Sequence, residues 1–73
     1  MRFDVIVGQG WRHQLSAIIE AAGARQLSAP AFFDDASTHV TVRVSWPRSD
    51  RSLQAAIWAN GMEGARVTVR RAR

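Results

Sequence analysis

An α+β sandwich made of two tandem β-α-β units is the fold this sequence predicts, and three observations predict it. The segments Leu15-Ser-Ala-Ile-Ile-Glu-Ala-Ala-Gly23 and Leu53-Gln-Ala-Ala-Ile-Trp-Ala-Asn-Gly61 share Leu, Ala, Ile, Ala and Gly at the same five places, 38 residues apart. A Val-rich alternating run precedes each copy, and Ala-Arg with another strand-like run follows each. Glycine and proline sit at the joints between these patterns, where turns are needed.

Taken in order, Phe3, Val5 and Val7 alternate with Arg2, Asp4 and Ile6 over residues 2–7, the mark of a half-buried strand. Gly8-Gln9-Gly10 breaks the alternation. Trp11, Leu15, Ile18, Ile19 and Ala22 then recur at helical spacing, so a helix is expected over 11–22 with Gly23 as its left-handed cap. Residues 25–33 read as a weaker strand in which Leu27, Ala29, Ala31 and Phe33 share a face. Pro30 confines that strand to a sheet edge. Asp34-Asp35-Ala36-Ser37 is a turn signature.

The clearest strand runs from Thr38 to Trp46, with Val40, Val42, Val44 and Trp46 on one face and His39, Thr41, Arg43 and Ser45 on the other. Pro47 ends it, and Ser49 or Asp50 caps a second helix. Leu53, Ala56, Ile57 and Asn60 form the inward stripe of that helix, and Gly61 stops it. The last strand is expected from Ala65 to about Arg70, with Val67 and Val69 inward and Arg71-Ala72-Arg73 as a frayed tail.

Right-handed crossovers join each pair of parallel strands. Two such units linked by a hairpin give β-α-β-β-α-β, the ferredoxin-like sandwich, with a four-stranded antiparallel sheet and two helices on one face. Its strand order, 4-1-3-2, places the Pro30 segment at an edge. The chain is read as one domain, 1–73, with repeats at about 2–33 and 38–70.

Seventy-three residues allow one small domain, and 47% hydrophobic content suffices for a core. No cysteine offers a disulfide or a thiolate metal site. Small unstapled domains gain stability by oligomerising, which keeps a homodimer among the expectations. No apolar run approaches the ~20 residues of a membrane span, and Asp4 interrupts the only apolar stretch near the start. A cytoplasmic protein is therefore expected. The net charge is +4, and all ten basic residues are arginine. Arginine suits bidentate phosphate or carboxylate recognition, but an Arg- and Ala-rich, Lys-free chain is also what a GC-rich genome encodes, so the placement of the arginines has to carry any functional argument.

By strand parity the uncovered sheet face displays Arg2, Asp4, Ile6, His39, Thr41, Arg43, Ser45, Arg66, Thr68 and Arg70. Four arginines against one acid make a basic plate for phosphates or an acidic partner. The competing reading is an ordinary solvated face with cross-strand Arg–Asp and Arg–Thr pairs. RNA-recognition domains of this topology stack bases on aromatics of the two central strands, whereas Asp4, Ile6, Thr41 and Arg43 stand there in this chain. Base-specific RNA readout is not expected. Trp58 lies about 140° from Leu53 at ~100° per residue, well off the inward stripe. It is either an anchor for a partner or a ring folded along the helix flank onto the loop after Gly61.

Gly8-Gln9-Gly10 lies between strand and helix, where backbone N–H groups can meet an anion, but His13 occupies the third glycine position of a dinucleotide fingerprint. His13 and His39 have no Cys, Asp or Glu cluster around them, so no metal and no cofactor is expected. No serine sits in a nucleophile elbow. Arg12, after the glycine loop, resembles the phosphate-holding arginine of acylphosphatases, which share this topology. That family positions its water with an Asn on the central hairpin strand, and Thr38–Trp46 contains none. No enzymatic activity is expected.

Val7-Gly8-x-Gly10, the helix Leu15–Ala22 ending at Gly23, and the closing Leu53…Gly61-x-x-Gly-Ala-Arg-Val-Thr-Val69 resemble ACT-type regulatory modules. The resemblance implies a ferredoxin-like fold, pairing of subunits, and effector binding at the loop Gly8, Gln9, Gly10. The Asp and Pro that flank the loop glycine in that family are replaced by Gly8 and Gln9.

The expected function is that of a small non-enzymatic binding protein: a regulator, an inhibitor or an assembly subunit. Its expected partner is a protein or nucleoprotein complex, engaged through Trp58 or through Arg43, Arg66 and Arg70. Such compact binders are frequent among phage and mobile-element proteins, an analogy of fold alone. The alternatives are non-specific nucleic-acid binding through Arg2, Arg43, Arg66, Arg70, Arg71 and Arg73, and effector sensing at Gly8–Gly10.

Overall fold

The computed structural model describes residues 1–32 and 38–72. Its elements are β1 (Arg2–Gly8), α1 (Leu15–Ala22), β2 (Arg25–Gln26), β3 (Ala31–Phe32), β4 (His39–Ser45), α2 (Asp50–Ile57) and β5 (Val67–Arg71). The strands form one sheet in the order β2-β4-β1-β5, and β3 joins β4 on the same edge as β2. Every pairing is antiparallel. With β2 and β3 taken as one interrupted edge strand, this is the expected 4-1-3-2 order of a ferredoxin-like sandwich.

Alternation builds the core. Phe3, Val5 and Val7 of β1, Val40, Val42 and Val44 of β4, and Val67 of β5 are all buried. Leu15, Ile18 and Ile19 of α1, Leu53 and Ile57 of α2, and Met62 beyond it close over them in one cluster. Each large side chain buried this fully contributes roughly 1.5–3 kcal/mol, which matters in a chain this short.

The first helix starts four residues later than the spacing predicts. Gln9–Trp11 form a 3-10 turn, with Arg12 N–H donating to Gln9 O at 3.1 Å and Gln14 N–H to Trp11 O at 3.1 Å. No Ser, Thr, Asp or Asn is placed to cap an α-helix before Leu15, and the residue at that position, Gln14, makes no side-chain cap. Trp11 therefore packs only partly against the core. The far end behaves as expected: Gly23 has φ 87°, and Ala24 N–H reaches back to Ile19 O at 3.2 Å.

The second helix begins on Ser49, whose hydroxyl accepts from Ser52 N–H at 3.2 Å. Trp46 is tied to this cap, because its indole N–H donates to Ser52 Oγ at 2.9 Å and Ser52 Oγ donates to Ser49 O at 2.8 Å. After Ile57 the chain makes one wide turn over Trp58–Met62, in which Asn60 and Gly61 leave helical geometry. Asn60 is consequently exposed instead of inward, and its amide caps Ala56 O at 2.7 Å. Met62 takes the buried place that the spacing assigns to Asn60.

The edge strand differs most from expectation. Arg25 pairs with Ser45 and Ala31 with Thr41, so seven positions on the edge span five on β4. Two extra residues bulge out around Pro30, and the strand splits. At the other edge β5 runs on through Arg71, with Ala72 N–H still bonded to Arg2 O at 3.0 Å, so Arg71 belongs to the sheet and not to a frayed tail. Phe33, the Asp34–Ser37 turn and Arg73 lie outside the described residues. No helix of the described residues is long and apolar enough to cross a membrane.

Candidate binding face

The registers lay the uncovered sheet face out in rows. One row reads Arg25, Ser45, Arg2. The next reads Arg43, Asp4, Arg70, with Leu27 beside Arg43 through a 2.7 Å bond from Leu27 N–H to Arg43 O. A third reads Ala31, Thr41, Ile6, Thr68. His39 and Gly8 end the face.

Asp4 is the hub. Because Leu27 N–H bonds Arg43 O, the Arg43 backbone points away from β1, and Asp4 and Arg43 form a non-hydrogen-bonded pair, where side chains come closest. Arg43 Nε lies 3.2 Å from Asp4 Oδ1, with the two side chains 43% and 23% exposed. Asp4 also stands opposite Arg70 on β5.

Arg43 is held from its other side by the bulge. Its backbone N–H donates to Ser28 Oγ at 2.9 Å, so a hydroxyl replaces the strand carbonyl that the insertion displaces. Gln26 Nε2 braces the same loop on Ser28 O at 2.8 Å. Between bulge and ladder lies an open groove of about 420 Å³, lined by Asp4, Leu27, Ser28, Thr41, Arg43 and Arg70. A groove of similar volume, about 430 Å³, lies on the helix side between Trp11, Gln14, Ile18 and Gly61. Its lining also includes His13 and Asn60 but no Arg, Lys, Asp or Glu, so it lacks the concentrated charge of the open face.

The sequence-predicted basic residues are only partly brought together. Arg2, Arg43 and Arg70 share the open face, whereas Arg66 is exposed just ahead of β5. Arg71 pairs with Phe3, which places it on the helix side of the sheet, where its guanidinium reaches Met1 Sδ at 3.3 Å. Arg25 joins the face opposite Ser45, and Leu27 adds an exposed apolar group. Both were missed, although the alternation that puts Leu27, Ala29 and Ala31 on one face places Arg25 there as well.

Trp58 is 38% exposed, and its indole N–H donates to Ala65 O at 2.9 Å, so the ring lies back over the segment after Gly61. In the glycine loop, Gln9 N–H is engaged by Thr38 O at 2.8 Å, and neither Gly8 nor Gly10 has positive φ. A Cβ at either glycine would meet nothing within 4 Å. Arg12 leaves this loop to stack over Phe32, 5.3 Å from the ring centroid. Among the described residues, no group of three or more His, Cys, Asp or Glu could hold a metal ion.

No protein-family model, no curated protein and no solved structure matches this chain.

Proposed function

We propose that the chain is a non-enzymatic binding module that docks an acidic protein partner on its open sheet face. The observation that carries this reading is the charge layout of that face. Among its described residues, Arg2, Arg25, Arg43 and Arg70 stand against a single carboxylate, Asp4. Complementary charge steers and orients association. Arg43 is pre-positioned by Asp4 and Ser28, which reduces the ordering cost of binding.

Two features favour a protein over a polynucleotide. Leu27, Ala31 and Ile6 place apolar groups among the arginines, which suits a mixed protein surface. The middle of the open face on the central strands holds Asp4, Ile6, Thr41 and Arg43, so no Phe, Tyr or Trp stands there to stack a base, a carboxylate sits in the middle, and the His39 ring lies only at the end of the face.

The test compares wild type with the double reversal Arg43→Glu, Arg70→Glu in capture from nuclease-treated extract of the source cells. Proteins retained by wild type and lost with the double variant are the expected result. Retention that is equal in both, or that disappears on nuclease treatment, overturns the reading.

A further inference from the structure

The two edges of the sheet are protected unequally. On the β2/β3 edge the bulge and Pro30 interrupt the row of backbone donors and acceptors. On the β5 edge two side chains of the second helical segment, four residues apart, cover carbonyls two residues apart. Gln54 Nε2 donates to Val67 O at 2.7 Å and Trp58 Nε1 to Ala65 O at 2.9 Å. That cover stops at Val67. Ala72 N–H bonds Arg2 O across the ladder, so the backbone groups of even-numbered residues face β1 and those of Val69 and Arg71 face outward. Among the described residues, no strand pairs with β5 on that outward side.

We propose that the Val69–Arg71 half of β5 takes up an extended acidic segment of the partner protein as an added strand. This rests on the reading of the open face as the site of an acidic protein. Strand addition uses main-chain hydrogen bonds for affinity and alternate side chains for specificity. Residues 65–72 carry Arg66, Arg70 and Arg71 and no acid. Antiparallel pairing with a second copy would gather like charges along one seam, which is unfavourable. An acid–apolar–acid segment has the complementary pattern: its acids stand opposite Thr68 and Arg70 on the open face, and its apolar residue lies beside half-buried Val69. The groove between Asp4, Arg43, Arg70 and Arg71 makes the new strand continuous with the arginine rows.

The probe is the capped peptide Glu-Val-Glu-Val-Glu, with a twin N-methylated on both valines, titrated at low salt while amide exchange is followed by NMR. Methylation leaves charge and side chains intact but removes the donors that would face β5. The expected result is slowed exchange at Val69 and Arg71 and binding of the twin roughly tenfold or more weaker, the order set by two lost hydrogen bonds. Equal binding of both peptides, protection only elsewhere, or no binding by either overturns strand addition. If both peptides bind equally and the Arg43→Glu, Arg70→Glu variant binds neither, the open-face reading stands without it. If neither binds, the capture comparison judges that reading separately.

Discussion

Asp4 and Arg43 face each other across the β1–β4 ladder, Nε 3.2 Å from Oδ1, and this one contact both restrains and shields the basic face. The carboxylate fixes a guanidinium that would otherwise be free to rotate. It also subtracts a charge at the centre of the face. Asp4→Asn should therefore strengthen binding of acidic probes while changing stability by no more than about 1 kcal/mol, because the pair is partly exposed. Chemical denaturation and a binding titration on the same preparation check both halves.

Ser28 substitutes a hydroxyl for a missing strand carbonyl. Ser28→Ala should leave Arg43 N–H without its acceptor, costing roughly 0.5–1.5 kcal/mol. Exchange of the Arg43 amide should accelerate selectively. Unchanged exchange at Arg43 would mean that the bulge closes on that amide by another route.

Gln54 and Trp58 act as edge guards. Trp58→Phe keeps an aromatic ring but removes the indole N–H donor, so a loss of about 1 kcal/mol is expected, with no effect on binding at the open face. Gln54→Ala frees Val67 O and lengthens the open edge, so the Glu-Val-Glu-Val-Glu peptide should bind more tightly in a titration. Loss of partner binding by Trp58→Ala at unchanged stability would instead make Trp58 the anchor.

The glycines differ in what they supply. Gly23 sits at φ 87°, so Gly23→Ala should cost about 1–2 kcal/mol. Gly10 has no positive φ and open space around it, so Gly10→Ala should be close to neutral in thermal unfolding.

Strand parity was legible because valines alternate without exception along β1 and β4, and a one-residue slip would invert the whole face. That parity puts Asp4, Arg43 and Arg70 on one face, while the strand registers set Asp4 between the two arginines. The bulge was not legible: Pro30 announces an interruption but not the number of extra residues, and Ser28 gives no sign that it will accept from Arg43. The wide turn after Ile57 was hidden for a similar reason. Helical spacing carried Asn60 inward, whereas the non-helical geometry at Asn60 and Gly61 turns it out and drives Met62 into the core. For Trp58 the sequence leaves two readings, a partner anchor and a ring folded onto the loop after Gly61, and the helical wheel cannot show the hydrogen bond to Ala65 O that lays the ring back.

The most direct measurement is a titration of labelled poly-glutamate with wild type, with Arg43→Glu, Arg70→Glu, and with the charge-matched control Arg12→Glu, Arg51→Glu, whose residues lie off the open face. Both variants bring the net charge from +4 to zero, since each substitution changes it by two. The account predicts that the open-face variant loses binding and the control keeps most of it. Equal loss in the two variants would show that net charge alone attracts the probe, and would contradict a binding site on the open face.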